Sequence, residues 1–170
     1  EGCPDVYFSD GCGGFLSLRA EKNICDNQWH RLLAALDRKA GRLSIFIDGC
    51  DAAQKDFDPE KLGDIKLRAP ILLGHEFDNM INHKNVFRGE IAAACLWSTA
   101  VNAEEAENLA LSENMIACWK PKESLADLSG NGMELTPYKY FIGRESEEFE
   151  RYSAPACEGE YTIAFIPDTQ

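Results

Sequence analysis

Between Trp29 and Trp97 the chain alternates short apolar segments with turn residues: W-H-R-L-L-A-A-L-D, L-S-I-F-I-D-G, P-I-L-L-G and F-R-G-E-I-A-A-A-C-L-W. Gly, Asp and Pro punctuate segments of strand length, a pattern that predicts consecutive antiparallel strands rather than amphipathic helices. Asp37-Arg38-Lys39-Ala40-Gly41 has hairpin length with Gly late in it. Leu43, Ile45 and Ile47 then share one face of the next strand, and Ser44, Phe46 and Asp48 share the other. Asp48-Gly49 is a second turn signal, so that strand is pinned at both ends and its register is set. Trp29 to Asp37 is apolar on both alternating faces, which predicts a strand covered on two sides, with His30 a hydrogen-bonded core histidine.

The flanks extend the pattern. Tyr7-Phe8 and Phe15 to Ala20 read as two short strands around the turn Ser9 to Gly14, with Glu21 to Gln28 a polar connection. Ala52 to Gly63 is polar and reads as an exposed loop; strand character returns at Ile65 to Leu73 and at Val86 to Trp97. Between those two strands, Gly74 to Asn85 is a long polar loop, a common place for function. Asn102, followed three residues later by Glu105, caps one short helix with Ala106, Leu109 and Ala110 on one face. Met115 to Trp119 is a further strand, Asp127 to Gly132 a compound turn, and Tyr161 to Ile166 an alternating strand beyond a glutamate-rich tail.

Composition bounds what such a chain can do. At 170 residues it is long enough for one two-sheet domain without covalent staples. A net charge of −12 repels phosphate backbones and anionic lipid surfaces, which excludes nucleic acid as a partner. No apolar run approaches the ~20 residues that span a bilayer. Seven cysteines lie scattered with no C-x-x-C pair, a distribution that fits disulfides in a secreted protein better than a zinc ribbon, and the odd number leaves one thiol over. Glu1-Gly2-Cys3-Pro4-Asp5 is neither basic nor apolar, so the expectation is a processed, excised or internal segment.

The order of the motifs resembles the laminin G-like, concanavalin A-like jelly-roll family. Trp29-His30-Arg31 is similar to its W-H strand opening, Ile45-Phe46-Ile47-Asp48-Gly49 to its aliphatic-Tyr-Val-Asp-Gly strand and turn, and Ile71-Leu72-Leu73-Gly74 to the strand ending in I-G. Phe87-Arg88-Gly89-Glu90-Ile91 with Leu96-Trp97 is similar to F-x-G-x-I and its strand, and Trp119 through Asp127-Leu128-Ser129-Gly130-Asn131-Gly132 to a W...D-x-S-G-N-G segment. The match covers residues 15 to 136 of a single domain over 1–170. The resemblance implies an all-β, antiparallel two-sheet jelly-roll sandwich with one short helix. It departs at the start, where the strands before W-H are mostly missing; either the chain is part of a larger protein, or 137–170 supplies a closing strand.

The resemblance further implies a secreted or cell-surface binding module that recognises a glycan or an extracellular protein. The alternative is an assembly domain contacting other domains or subunits, and a weaker one is a diverged polysaccharide hydrolase or lyase. The glucanase pattern E-x-D-x-x-E is absent and Glu90 has no i+2 carboxylate partner, so no catalytic residue is assigned. The candidate ligand residues are Phe46, whose face opposes Leu43, Ile45 and Ile47, and His75, Glu76, Asp78, Asn79 and His83 in the long loop. Calcium is the one cofactor the resemblance raises, with Asp127 and Asn131 as candidate ligands, although tight-turn chemistry accounts for the same residues.

Overall fold

A computed structural model describes residues 2–65, 71–74, 87, 89–107, 113–137 and 162–168, the last of these as backbone. β1 (Asp5–Ser9) and β2 (Phe15–Arg19) make an antiparallel two-stranded sheet. A second, six-stranded sheet holds β3 (Leu32–Asp37), β4 (Arg42–Ile47), β5 (Cys50–Asp56), β6 (Glu90–Trp97), β7 (Met115–Trp119) and β8 (Thr162–Asp168). Its strand order is β5-β4-β3-β8-β6-β7, antiparallel throughout. The one α-helix among the described residues, α1 (Ala103–Glu107), follows β6, giving an all-β sandwich with a single short helix.

Turn chemistry sets the hairpins. Asp48 and Gly49 lie at φ 56° and 79° between the paired residues Ile47 and Cys50, the two-residue turn whose twist matches its strands. The chain therefore turns straight back into β5, which corrects the exposed loop expected over 52–63. β5 is an edge strand of mostly exposed, polar side chains, Cys50-Asp51-Ala52-Ala53-Gln54-Lys55-Asp56, so it carries no apolar alternation to betray it. Only its far end is irregular, where Asp58 caps the 3₁₀ turn Pro59–Lys61.

Three other boundaries move. β3 begins at Leu32 opposite Ile47, leaving Trp29 half exposed before the strand instead of inside it. Ile65 and 71–73 are not strand, and 66–70 lie outside the described residues. The strand expected from Val86 starts at Glu90. The capping box is present as expected: Asn102 N–H donates to Glu105 Oε2 at 2.8 Å, and Glu105 N–H to Asn102 Oδ1 at 2.9 Å.

The main core lies between the two sheets. Leu36, Leu43, Ile45 and Ile47 are fully buried from the larger sheet and meet Phe8, Leu16, Ala20 and Ile24 with Leu62 below them. Each such aliphatic side chain contributes about 1.5–3 kcal/mol by burial. The opposite face of the larger sheet has its own cluster, Leu33, Cys95, Trp97, Met115 and Cys118, closed by Ala106 of α1. β8 joins the halves of the sheet: Leu32, Phe165 and Ala94 form one register row, and Ala34, Ile163 and Leu96 another.

Candidate functional site

The β1–β2 hairpin separates its side chains by strict alternation. Val6, Phe8, Leu16 and Leu18 face the core, so Asp5, Tyr7, Phe15, Ser17 and Arg19 face outward. The register sets Asp5 opposite Arg19, Tyr7 opposite Ser17 and Ser9 opposite Phe15. Tyr7 and Phe15 thus become diagonal neighbours, with ring centroids 5.8 Å apart at an interplanar angle of 34°. Both are 62% exposed, the most exposed large apolar side chains among the described residues. Tyr7 Oη donates to Asp5 Oδ2 at 2.8 Å, and that bond raises the phenol above its usual range. Arg19 approaches the same carboxylate at 3.9 Å. Two aromatic rings with an acid, a base and a hydroxyl beside them make a surface able to stack on a flat apolar face while bonding polar groups around it.

The hairpin holds this surface rigidly. Asp10 Oδ1 accepts the N–H groups of Cys12 at 2.7 Å and Gly14 at 2.8 Å, and its Oδ2 accepts Gly63 N–H at 2.9 Å, pinning the hairpin tip to the segment after β5. The Cys12 and Gly63 N–H groups hold the Asp10 carboxyl below its ordinary range. Sequence reasoning passed over Tyr7 and Phe15, although the alternation of Val6 with Phe8 and of Leu16 with Leu18 carries the signal.

The residues expected to bind ligand fare differently. Phe46 is half-buried against the cluster of Leu33, Trp97, Ala106 and their neighbours, under the end of the sheet that α1 covers. His75, Glu76, Asp78, Asn79 and His83 lie outside the described residues. Asp127 and Asn131 are occupied in building their turn. Asp127 Oδ1 accepts Cys118 N–H at 3.0 Å and Ser129 N–H at 2.9 Å; its Oδ2 accepts Ser129 Oγ–H at 2.8 Å and Met133 N–H at 3.1 Å. Burial pushes that carboxyl up, and these donors outweigh burial and hold it low. Asn131 Nδ2 donates to the Met115 and Ile116 carbonyls, both at 2.9 Å. Among the described residues no group of three His, Cys, Asp or Glu side chains could hold a metal ion.

Two further polar clusters are formed. His30 is buried, with Nδ1 2.9 Å from Asp48 Oδ2 and Nε2 2.9 Å from Asp26 Oδ1. The Asp48 and Asp26 carboxylates raise the imidazole's pKa. Burial pushes Asp48 up, but His30, Lys22 and the Arg31 N–H together hold it at about 2. On another side, Glu90 is ion-paired to Lys122, whose ammonium lies 5.0 Å over the half-exposed Trp29 ring.

A family model described as Laminin G domain matches residues 1–94, more than half of the chain. The chain belongs to that family. No curated protein and no solved structure matches it.

Proposed function

We propose that this laminin G chain is a secreted or cell-surface, non-catalytic binding module, and that the outer face of the β1–β2 hairpin is its ligand surface. Laminin G domains are typically extracellular binding modules. The observation that carries the assignment to this face is the exposed Tyr7–Phe15 pair, flanked by Asp5, Ser17 and Arg19 and held by Asp10. An exposed aromatic pair of this kind is otherwise a solubility liability, and among the described strand residues no other large apolar side chain is so exposed. The favoured ligand is a neutral glycan, whose sugar faces stack on aromatic rings and whose hydroxyls bond the acid and base beside them. The net charge of −12 argues against sulfated or otherwise polyanionic sugars. His75, Glu76, Asp78, Asn79 and His83 are a second region for contact.

The test is a glycan array probed with the full chain and with Tyr7→Ala/Phe15→Ala, with His75→Ala/Asp78→Ala as a parallel arm. Because both rings are 62% exposed, the aromatic double substitution should change stability by no more than about 0.5 kcal/mol per site. Loss of a neutral-glycan signal with unchanged melting supports the hairpin surface. A variant that binds as well as the parent chain sinks that surface, and a blank array with the parent chain sinks the glycan reading and leaves a protein ligand to be sought with the same variants.

A further inference from the structure

We propose that Cys95 and Cys118 are oxidised to a cross-strand disulfide that clamps the edge strand β7 to β6. The two residues are direct register partners in the antiparallel β6–β7 pair, and their sulfurs lie 2.9 Å apart. Directly opposed residues of an antiparallel pair hold their Cβ atoms ~4.5–5.5 Å apart, which meets the upper end of the ~3.5–4.5 Å found in disulfides. Bond formation therefore asks for side-chain rotation and little backbone movement.

The surroundings exclude the other usual employments of paired cysteines. Both residues are buried, 2% and 4% exposed, within the apolar cluster of Leu33, Trp97, Ala106 and Met115. No third His, Cys, Asp or Glu joins them among the described residues, so the pair lacks the ligand set of a metal site. Inert core cysteines are the plain alternative. Against it stands the contact itself: Cys3, Cys12, Cys25 and Cys50 are half-buried or exposed, and among the described residues only Cys95 and Cys118 bring two sulfurs together.

The oxidant is an external disulfide such as glutathione disulfide. The thiolate of one of the two cysteines attacks one sulfur of the external disulfide, forming a mixed disulfide and releasing one thiol. The thiolate of the other then attacks the protein sulfur of that mixed disulfide and releases the second thiol. The protein loses two protons and two electrons, and one external disulfide becomes two thiols. Because the native pair is buried, exchange takes place while the β6–β7 hairpin is still open during folding.

The test refolds the full reduced chain in a glutathione and glutathione disulfide buffer, alkylates it in denaturant without reductant, and maps the peptides by mass spectrometry. The expected result is a Cys95–Cys118 cross-linked peptide two hydrogens lighter than its reduced parts, with either cysteine alkylated only after reduction. Over a sequence separation of 23 residues, reduction should also lower the melting temperature by roughly 10 °C in the parent chain and leave Cys95→Ala/Cys118→Ala unmoved. Alkylation of both residues without reductant, or pairing of either with another cysteine, overturns the proposal. The mapping needs no variant to fold, and its result is independent of whether any glycan binds.

Discussion

Replacing His30 by Gln removes an imidazole that faces a carboxylate with each of its nitrogens, 2.9 Å from Asp48 on one side and 2.9 Å from Asp26 on the other. A neutral ring has one N–H and would turn a lone pair toward one of the two acids; the imidazolium donates to both. The folded protein therefore holds His30 protonated above its ordinary pKa of 6.5. A hydrogen bond to a charged group contributes about 1.5–3 kcal/mol, and the acids' side-chain exposures of 51% and 39% reduce that. Loss of the Asp48 bond should then cost about 1–2 kcal/mol, or roughly 2–8 °C in melting temperature. The sign of the pH dependence follows from the raised pKa. Stability from His30 is fully present below pH ~6.5 and is lost as pH rises through the folded-state pKa. Urea unfolding of the parent chain and of His30→Gln, compared at half-unit steps from pH 5 to 9, reads this difference directly, because every other titrating group is common to both. The gap between the two should be widest at the acid end and narrow toward the alkaline end. A gap that is constant, or that widens with pH, refutes the doubly bonded imidazolium.

Three further outcomes follow from the same geometry. Gly41→Ala forces a side chain onto a residue at φ 64° and sets its Cβ 2.7 Å from the Phe57 carbonyl, so urea unfolding should show a loss of about 2–4 kcal/mol. Asp127→Ala releases the donors of Cys118, Ser129 and Met133 from a half-buried carboxylate and should cost about 2–4 kcal/mol; calcium should leave the melting temperature of the parent chain unchanged, and a calcium-dependent rise that Asp127→Ala abolishes would make the turn a metal site instead. Removing 162–170 exposes the facing edges of β3 and β6, so the shortened chain should aggregate or bind a β-sheet dye where the full chain does not, and an unchanged melting curve would remove β8 from the sheet.

What the sequence made legible was chemistry carried by neighbouring residues. The Asp48-Gly49 turn, the Asn102–Glu105 capping box and the Leu43, Ile45 and Ile47 core face all rest on residues within four positions of one another, and all are found. His30 was readable as a satisfied core histidine because an imidazole beside an aliphatic run must find partners, although Asp26 and Asp48 could not be named from spacing. β5 escaped because an edge strand is under pressure to look unlike a strand, and Asp51, Gln54, Lys55 and Asp56 leave it no apolar alternation. Phe46 shows the converse: its alternation was right, but whether a face is open depends on where α1 lands, and that is settled by chain geometry after β6.

β8 marks the limit of local reading most plainly. Its alternating pattern identifies a strand, yet nothing in Thr162–Asp168 specifies insertion between β3 and β6 instead of addition to an edge. That position is a consequence of closure. β3 and β6 each have one partner on their outer side, β4 and β7, and without β8 each would present a row of unpaired N–H and C=O groups in the middle of the sheet. One antiparallel strand satisfies both rows at once, so its central position is worth more than any edge position could be. The β1–β2 hairpin is in the opposite situation. It packs on the β3–β4–β5 half of the sheet through Val6, Phe8, Leu16 and Leu18 and makes no strand pairing with it. It is held there by burial of its inner face, by the Asp10 contact with Gly63 N–H and by Lys55 Nζ donating to the Ser17 carbonyl, so the Tyr7 and Phe15 side chains can stay outward, bound among the described residues only to each other and to Asp5.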